Sequence, residues 1–226
     1  MSISQDLAQI ALETGAIQIN TGKPFVWASG YSMPVYNDNR RLLGKVQHRM
    51  LVARGFQSLL QQFRIPVDVI AGTATAGIPH ATTLANLLET PLIYVRSAPK
   101  KHGMQNQVEG ILKKDQQAVV IEDLISTGGS ALKVVEAIRL AGGKAGHCLC
   151  IFNYGFPATV EYFREAGCKL HSLLTFEELI SHAEKTGSLS KNQTGILRSW
   201  YQDPFGWGGR QGLSPSPANP DGREEK

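Results

Sequence analysis

Ala118-Val-Val-Ile-Glu-Asp-Leu-Ile-Ser-Thr-Gly-Gly-Ser130 decides how this chain is read. An apolar run of the kind found in buried strands leads into two adjacent acids, Glu122 and Asp123, then into a small polar turn, Ser126–Ser130. The apolar periodicity of Val134, Val135 and Ile138 predicts a helix over Gly129–Ala141 directly after it. A turn that opens a helix presents free backbone N–H groups and hydroxyls where the helix dipole is positive, which is an anion site. Glycines at 128 and 129 let the backbone approach a ligand closely. Two acids beside such a site would repel a bare phosphate. They suit a ligand that also carries hydroxyl donors or arrives with a divalent metal, and a ribose 5-phosphate meets both conditions.

Outward from this segment, helical and strand-like stretches alternate. Helices are expected near the N-terminus (Leu7, Ile10 and Ala11), over Gly44–Phe63, Gly77–Leu88, Ala158–Ala166 and Phe176–Lys185. Strands are expected over Val67–Ala71, Leu92–Val95, Gln117–Ile121, Ala145–Phe152 and Lys169–Leu174. That alternation argues an α/β fold with a central, mainly parallel sheet flanked by helices. Arg96–Lys114 is polar, basic and without either period, and a connection of that length is usually functional. Residues 206–226, rich in Gly, Pro, Ser and charge, read as a disordered tail, with Trp200, Phe205 and Trp207 tacking its start onto the domain.

Bulk properties exclude several classes. The chain has 226 residues and 42% hydrophobic residues, enough for one domain with a full core. No stretch approaches the roughly 20 apolar residues that span a bilayer, and the N-terminus lacks the pattern of a signal peptide. Three cysteines, Cys148, Cys150 and Cys168, suit a reducing compartment and read as packing residues. The net charge of +4 is too small for a nucleic-acid binder, and the densest basic cluster, Arg96, Lys100, Lys101 and His102, suffices for a small polyanion. His48, His80, His147, His171 and His182 read as surface or capping residues. Other phosphate motifs fail: Gly72 and Gly77 have P-loop spacing, but Ile78 and Pro79 follow where Lys and Ser/Thr are required.

The acid pair and turn resemble the phosphoribosyl pyrophosphate (PRPP) signature of type I phosphoribosyltransferases. Three further stretches resemble the orotate enzymes of that family: Phe25–Asp38 (Phe-Val-Trp-Ala-Ser-Gly-Tyr-Ser-Met-Pro-Val-Tyr-Asn-Asp), Ala71–Pro79, and Arg96–Gly103 closing with Val108-Glu-Gly110. The resemblance spans roughly residues 5 to 185. It implies a type I phosphoribosyltransferase fold over residues 1–205, with a small N-terminal hood at 1–40 and a flexible catalytic loop at 96–116. It implies a cytoplasmic homodimer that shares this loop between subunits, binds neither nucleic acid nor membrane, makes orotidine 5'-monophosphate for pyrimidine biosynthesis, and uses Mg2+ held mainly through PRPP. By position, Lys100, His102 and Asp123 would be catalytic. PRPP would contact Arg96, Lys100, His102, Glu122, Asp123, Leu124, Ile125, Ser126, Thr127, Gly128, Gly129 and Ser130. Thr75 and Ala76 would face pyrophosphate, and Ser126 orotate. The chain departs from the family at Ser97, where some members carry Lys, and at Ile151–Gly155, where some carry an Arg for the orotate carboxylate. Ser29 and Gly30 are the candidates to hold that carboxylate instead.

Overall fold

A computed structural model describes residues 2–27, 29–98 and 107–213. Its centre is a six-stranded sheet: β5 (Val69–Thr73), β6 (Leu92–Val95), β7 (Val108–Glu109), β8 (Gln117–Ile125), β9 (Lys144–Asn153) and β10 (Lys169–Thr175). The strand order is β10-β9-β8-β5-β6-β7, parallel throughout except for β7. The five anticipated strands are all present, with β8 four residues longer than expected and β5 shifted two residues along the chain.

Alternate residues of the central strands feed two apolar layers, as a sheet covered on both faces requires. Ile70, Val119, Ile121, Leu149 and Ile151 face one layer, under α2 (Val46–Gln62) and α3 (Gly77–Leu88). Val69, Ala71, Val120, Cys148 and Cys150 face the other, under α4 (Gly129–Leu140) and α5 (Pro157–Glu165). All three cysteines are buried and free, and burial pushes the Cys150 thiol up to about 12, so they pack as neutral thiols. Close approach fixes α3: a Cβ on Gly77 would lie 2.4 Å from the Ile121 carbonyl oxygen.

His80 corrects one expectation. It is neither a surface nor a capping residue but 1% exposed on α3, and burial lowers its pKa to about 4. His147 and His171 are paired on β9 and β10, Nδ1 to Nε2 at 3.2 Å.

The hood is built from two ribbons too short to be legible as periodic patterns. One pairs β1 (Ile17–Ile19) with β4 (Val35–Asn37), and the other pairs β2 (Phe25–Val26) with β3 (Ser32–Met33). Beside it lie α1 (Ile3–Glu13) and α6 (Phe176–Lys185). Two further helices follow, α7 (Lys191–Gln202) and α8 (Pro204–Arg210). The tail expected from residue 206 therefore does not begin there. Ser190 caps α7 and Asp203 caps α8, while Trp207 is only 2% exposed. Three aromatic anchors outweigh the local Gly content, and the Trp200 indole N–H donates to the Met33 sulfur of β3 at 3.1 Å. Residues 214–226 lie outside the described residues.

Candidate active site

Strand order reverses at the junction of β5 and β8: the chain passes from β5 outward to β6, but from β8 outward through β9 to β10. Ligands of open α/β sheets collect at such a switch point, beyond the carboxyl ends of the strands. A cleft of about 1130 Å3 opens there, lined from β5 by Thr73 and Ala74 and from the β8–α4 turn by Leu124 and Ser126–Ser130.

The turn is held from both sides. Gly128, at φ +82°, is the N-cap of α4, and a Cβ there would lie 2.8 Å from the Phe163 ring. Thr159 of α5 donates its hydroxyl to the Ser126 carbonyl at 2.7 Å. The Ile125 side chain packs into the core and its carbonyl accepts from the Tyr154 N–H at 3.0 Å, which supports the turn from below.

Glu122 is buried at the end of β8, 5% exposed, and bonded to the turn. Its carboxylate accepts from the Asp123 backbone N–H at 3.0 Å and from the Ser130 hydroxyl at 3.4 Å. Burial pushes both acids of the pair up. The hydrogen bond between their side chains raises Glu122 further and acts downward on Asp123. Asn39, buried in the 3-10 turn Asn39–Gly44, donates to the Asp123 carbonyl at 2.7 Å and ties the hood to the acids. That tie spans 84 residues of sequence and had no local signal.

The long basic stretch is closed at its base. β6 and β7 pair antiparallel, with Val95 opposite Val108, and Arg96 donates its N–H to the Gln107 carbonyl at 3.0 Å. The Arg96 side chain lines the cleft and meets Glu109 at 3.7 Å. Lys100 and His102 lie outside the described residues. Thr75 and Ala76 follow Ala74 in the β5–α3 turn, whose Ala74–Thr75 peptide is cis. Ser29 lines the cleft, and Gly30, at φ +85°, shapes the β2–β3 hairpin beside it.

Over the cleft stand Trp27, Tyr36, Asn37, Tyr154 and Phe205. The Trp27 indole donates to the Val35 carbonyl at 2.8 Å, and its ring lies 5.4 Å from that of Tyr154. Phe205 of α8 packs on Tyr31 and Phe156, at ring distances of 5.0 and 5.8 Å. In the sequence Phe205 reads only as a tether and Asn37 and Tyr154 carry no site signal, because their proximity arises from tertiary packing.

A phosphoribosyl transferase domain model matches residues 44–170, the sheet and its turn. An orotate phosphoribosyltransferase of Listeria monocytogenes serotype 4b is 43% identical over 208 residues, which is 92% of this chain and all of the relative. The chain belongs to the orotate phosphoribosyltransferase family. Another member, from Cytophaga hutchinsonii, is 40% identical over 92% of this chain and 99% of its own. The crystal structure of the family's Aeropyrum pernix enzyme superposes with a TM-score of 0.70 at 34% identity, over 81% of this chain and 99% of that one. The family match reaches both ends of the cleft, since it takes in the hood as well as the sheet.

Proposed function

We propose that the chain transfers the 5-phosphoribosyl group of PRPP to orotate, yielding orotidine 5'-monophosphate and pyrophosphate for pyrimidine synthesis. The observation that carries this is the acid pair at the end of β8 running into the Ser126–Ser130 turn at the head of α4. The 5-phosphate sits in that turn, bonded by Thr127–Ser130 N–H and hydroxyl groups under the positive end of α4. Ribose hydroxyls donate to Asp123 and Glu122. The pyrophosphate extends toward Thr73–Ala76 and Arg96, where Arg96 exchanges Glu109 for the ligand.

The donor set fits a magnesium ion held chiefly by PRPP. The Asp123 and Glu122 carboxyl groups are hard oxygen donors of the kind magnesium takes. When bound, the ion neutralises pyrophosphate charge.

The bond from ribose C1 to the pyrophosphate oxygen breaks as orotate N1 bonds to C1, and the N1 proton passes to solvent. Positive charge grows on the ribose, and negative charge on the leaving group. Asp123 faces the first. Arg96, with Lys100 and His102 of the loop, faces the second, each contact contributing on the order of 1.5–3 kcal/mol. Loop closure, completed across a homodimer, excludes water from the activated ribose. Among the described residues no helix is long and apolar enough to cross a membrane.

The test is incubation with PRPP, magnesium and either orotate or a purine base. Loss of orotate absorbance with pyrophosphate release is expected. Turnover of the purine instead, or of neither base, overturns the assignment. Lys100→Ala should lower turnover far more than PRPP affinity, and unchanged turnover removes the loop from the mechanism.

A further inference from the structure

Asn37, Thr73 and Tyr154 share an unusual condition. The Asn37 amide nitrogen and oxygen, the Thr73 hydroxyl and the Tyr154 hydroxyl are all buried without a hydrogen-bond partner, and all three residues line the same cleft. An unpartnered buried polar group costs about 1–3 kcal/mol, so three in one cavity point to a ligand that completes them. Thr73 ends β5 beside Ala74, on the pyrophosphate side. Asn37 and Tyr154 belong to the hood side, where Trp27 joins them: its indole bonds the strand that carries Asn37, and its ring meets Tyr154.

This wall has the functional groups of one face of a pyrimidine. An asparagine amide offers a donor and an acceptor side by side, the complement of an imide edge in which a ring N–H adjoins a carbonyl. A tyrosine hydroxyl offers a donor to a carboxylate oxygen. Burial raises the Tyr154 pKa, so the hydroxyl keeps its proton over the whole working range. Among the described residues, the cationic side chains that line the cleft, Arg96 and Lys133, come from β6's end and from α4.

We propose that Asn37 and Tyr154 are the residues that select orotate: the Asn37 amide pairs with the imide edge of the ring, and the Tyr154 hydroxyl donates to the 6-carboxylate. The inference rests on orotate being the acceptor. A neutral hydroxyl in a desolvated aromatic wall is thus the carboxylate's partner where some family members carry an arginine. Ring-stacked surroundings, with Phe152, Phe156 and Trp200 within 6 Å of the Tyr154 ring, hold that hydroxyl in place.

Steady-state kinetics with two modified acceptors separate the two roles. 3-Methylorotate blocks the imide N–H, and orotate methyl ester removes the carboxylate charge. Asn37→Leu should raise the orotate KM about tenfold or more and lower the preference for orotate over 3-methylorotate by a similar factor. Tyr154→Phe, which keeps the ring, should raise the orotate KM comparably and erode the preference over the methyl ester. Neither should move the PRPP KM more than about twofold. Asn37→Asp, of the same shape but without the amide donor, replaces Asn37→Leu if that variant does not fold. A shift in PRPP KM instead, or unchanged acceptor preferences in an active wild-type background, overturns the pair alone. A wild-type chain inactive on orotate overturns the acceptor assignment and the pair with it.

Discussion

The cleft has two halves that are built differently. The donor half is one contiguous segment, β8 into α4, whose shape is fixed by bonds within the protein: the Glu122 carboxyl accepts from the Asp123 N–H and the Ser130 hydroxyl, the Ser126 carbonyl from Thr159, and the Asp123 carbonyl from Asn39. The acceptor half is assembled from residues at 27, 37, 154 and 205, and polar atoms at 37 and 154 are left unpartnered. A phosphate is bound by backbone N–H groups and a helix terminus, which a short local motif can supply. A flat heterocycle must be read by side chains on several sides, and no single segment can supply those. The first half is therefore preformed, and the second is completed by its ligand.

Breaking the donor half should produce the largest effects. Asp123→Asn removes the charge that the ribose hydroxyls meet, and a charge-assisted contact of about 1.5–3 kcal/mol corresponds to a roughly 10- to 150-fold rise in the PRPP dissociation constant. Calorimetric titration with PRPP and magnesium measures it, and unchanged affinity would remove Asp123 from the ribose. Gly128→Val places a branched side chain at φ +82° and against Phe163. Strain of about 1–3 kcal/mol should appear as a lower Tm together with weakened PRPP binding.

Phe205→Ala should act on the opposite half. The ring lines the cleft from α8 and packs on Tyr31 and Phe156. The orotate KM should rise a few-fold while the PRPP KM holds. The stability loss should fall short of the roughly 3–5 kcal/mol of a fully buried Phe. Equal shifts in both KM values would show that the halves are not separable.

Glu122→Gln sharpens the comparison through pH. Burial and the neighbouring Asp123 hold the Glu122 pKa well above its usual 4.5. A carboxyl raised in this way contributes stability that is complete below the unfolded value and is lost as pH rises through the folded one. Without PRPP, the Gln variant should therefore melt higher than wild type at neutral and alkaline pH, with the margin shrinking as pH falls toward about 4.5. It should bind PRPP more weakly at every pH. That combination marks an acid kept for its ligand at the expense of the free fold. Equal melting profiles would mean that the pair is not strained.

Legibility in the sequence follows the same division. Buried parallel strands announce themselves by continuous apolar runs, and the anion turn by its glycines and hydroxyls, so the five parallel strands and residues 119–130 are readable from the chain alone, whereas the two-residue β7 within the basic stretch is not. The hood strands are two or three residues long, too short for a period to register. α8 reads as tail because Gly206, Gly208 and Gly209 mask it; what folds it is the Asp203 cap and the seating of Trp207. Asn37 and Tyr154 carry no motif, and their role emerges only from being buried, unpartnered and in one cavity.

The smallest effect should come from a pair outside both halves. His147 and His171 meet at 3.2 Å, with ring planes 19° apart and centroids separated by 5.5 Å. Those values describe nitrogens meeting head-on in nearly one plane, a geometry that holds one proton between the rings and has no room for two. Burial lowers both pKa values, with Lys169 adding to the effect on each and His147 to that on His171. A histidine depressed on folding takes up its proton more readily when unfolded, so stability is lost as pH falls below the unfolded value of about 6.5. His171→Asn should remove part of the drop in Tm between about pH 7 and pH 5 while leaving KM for PRPP and orotate unchanged. A shift in either KM would mean that strain at β9 and β10 reaches Tyr154, seven residues beyond His147 and just past the end of β9, and that the acceptor half is less independent of the sheet than its construction indicates.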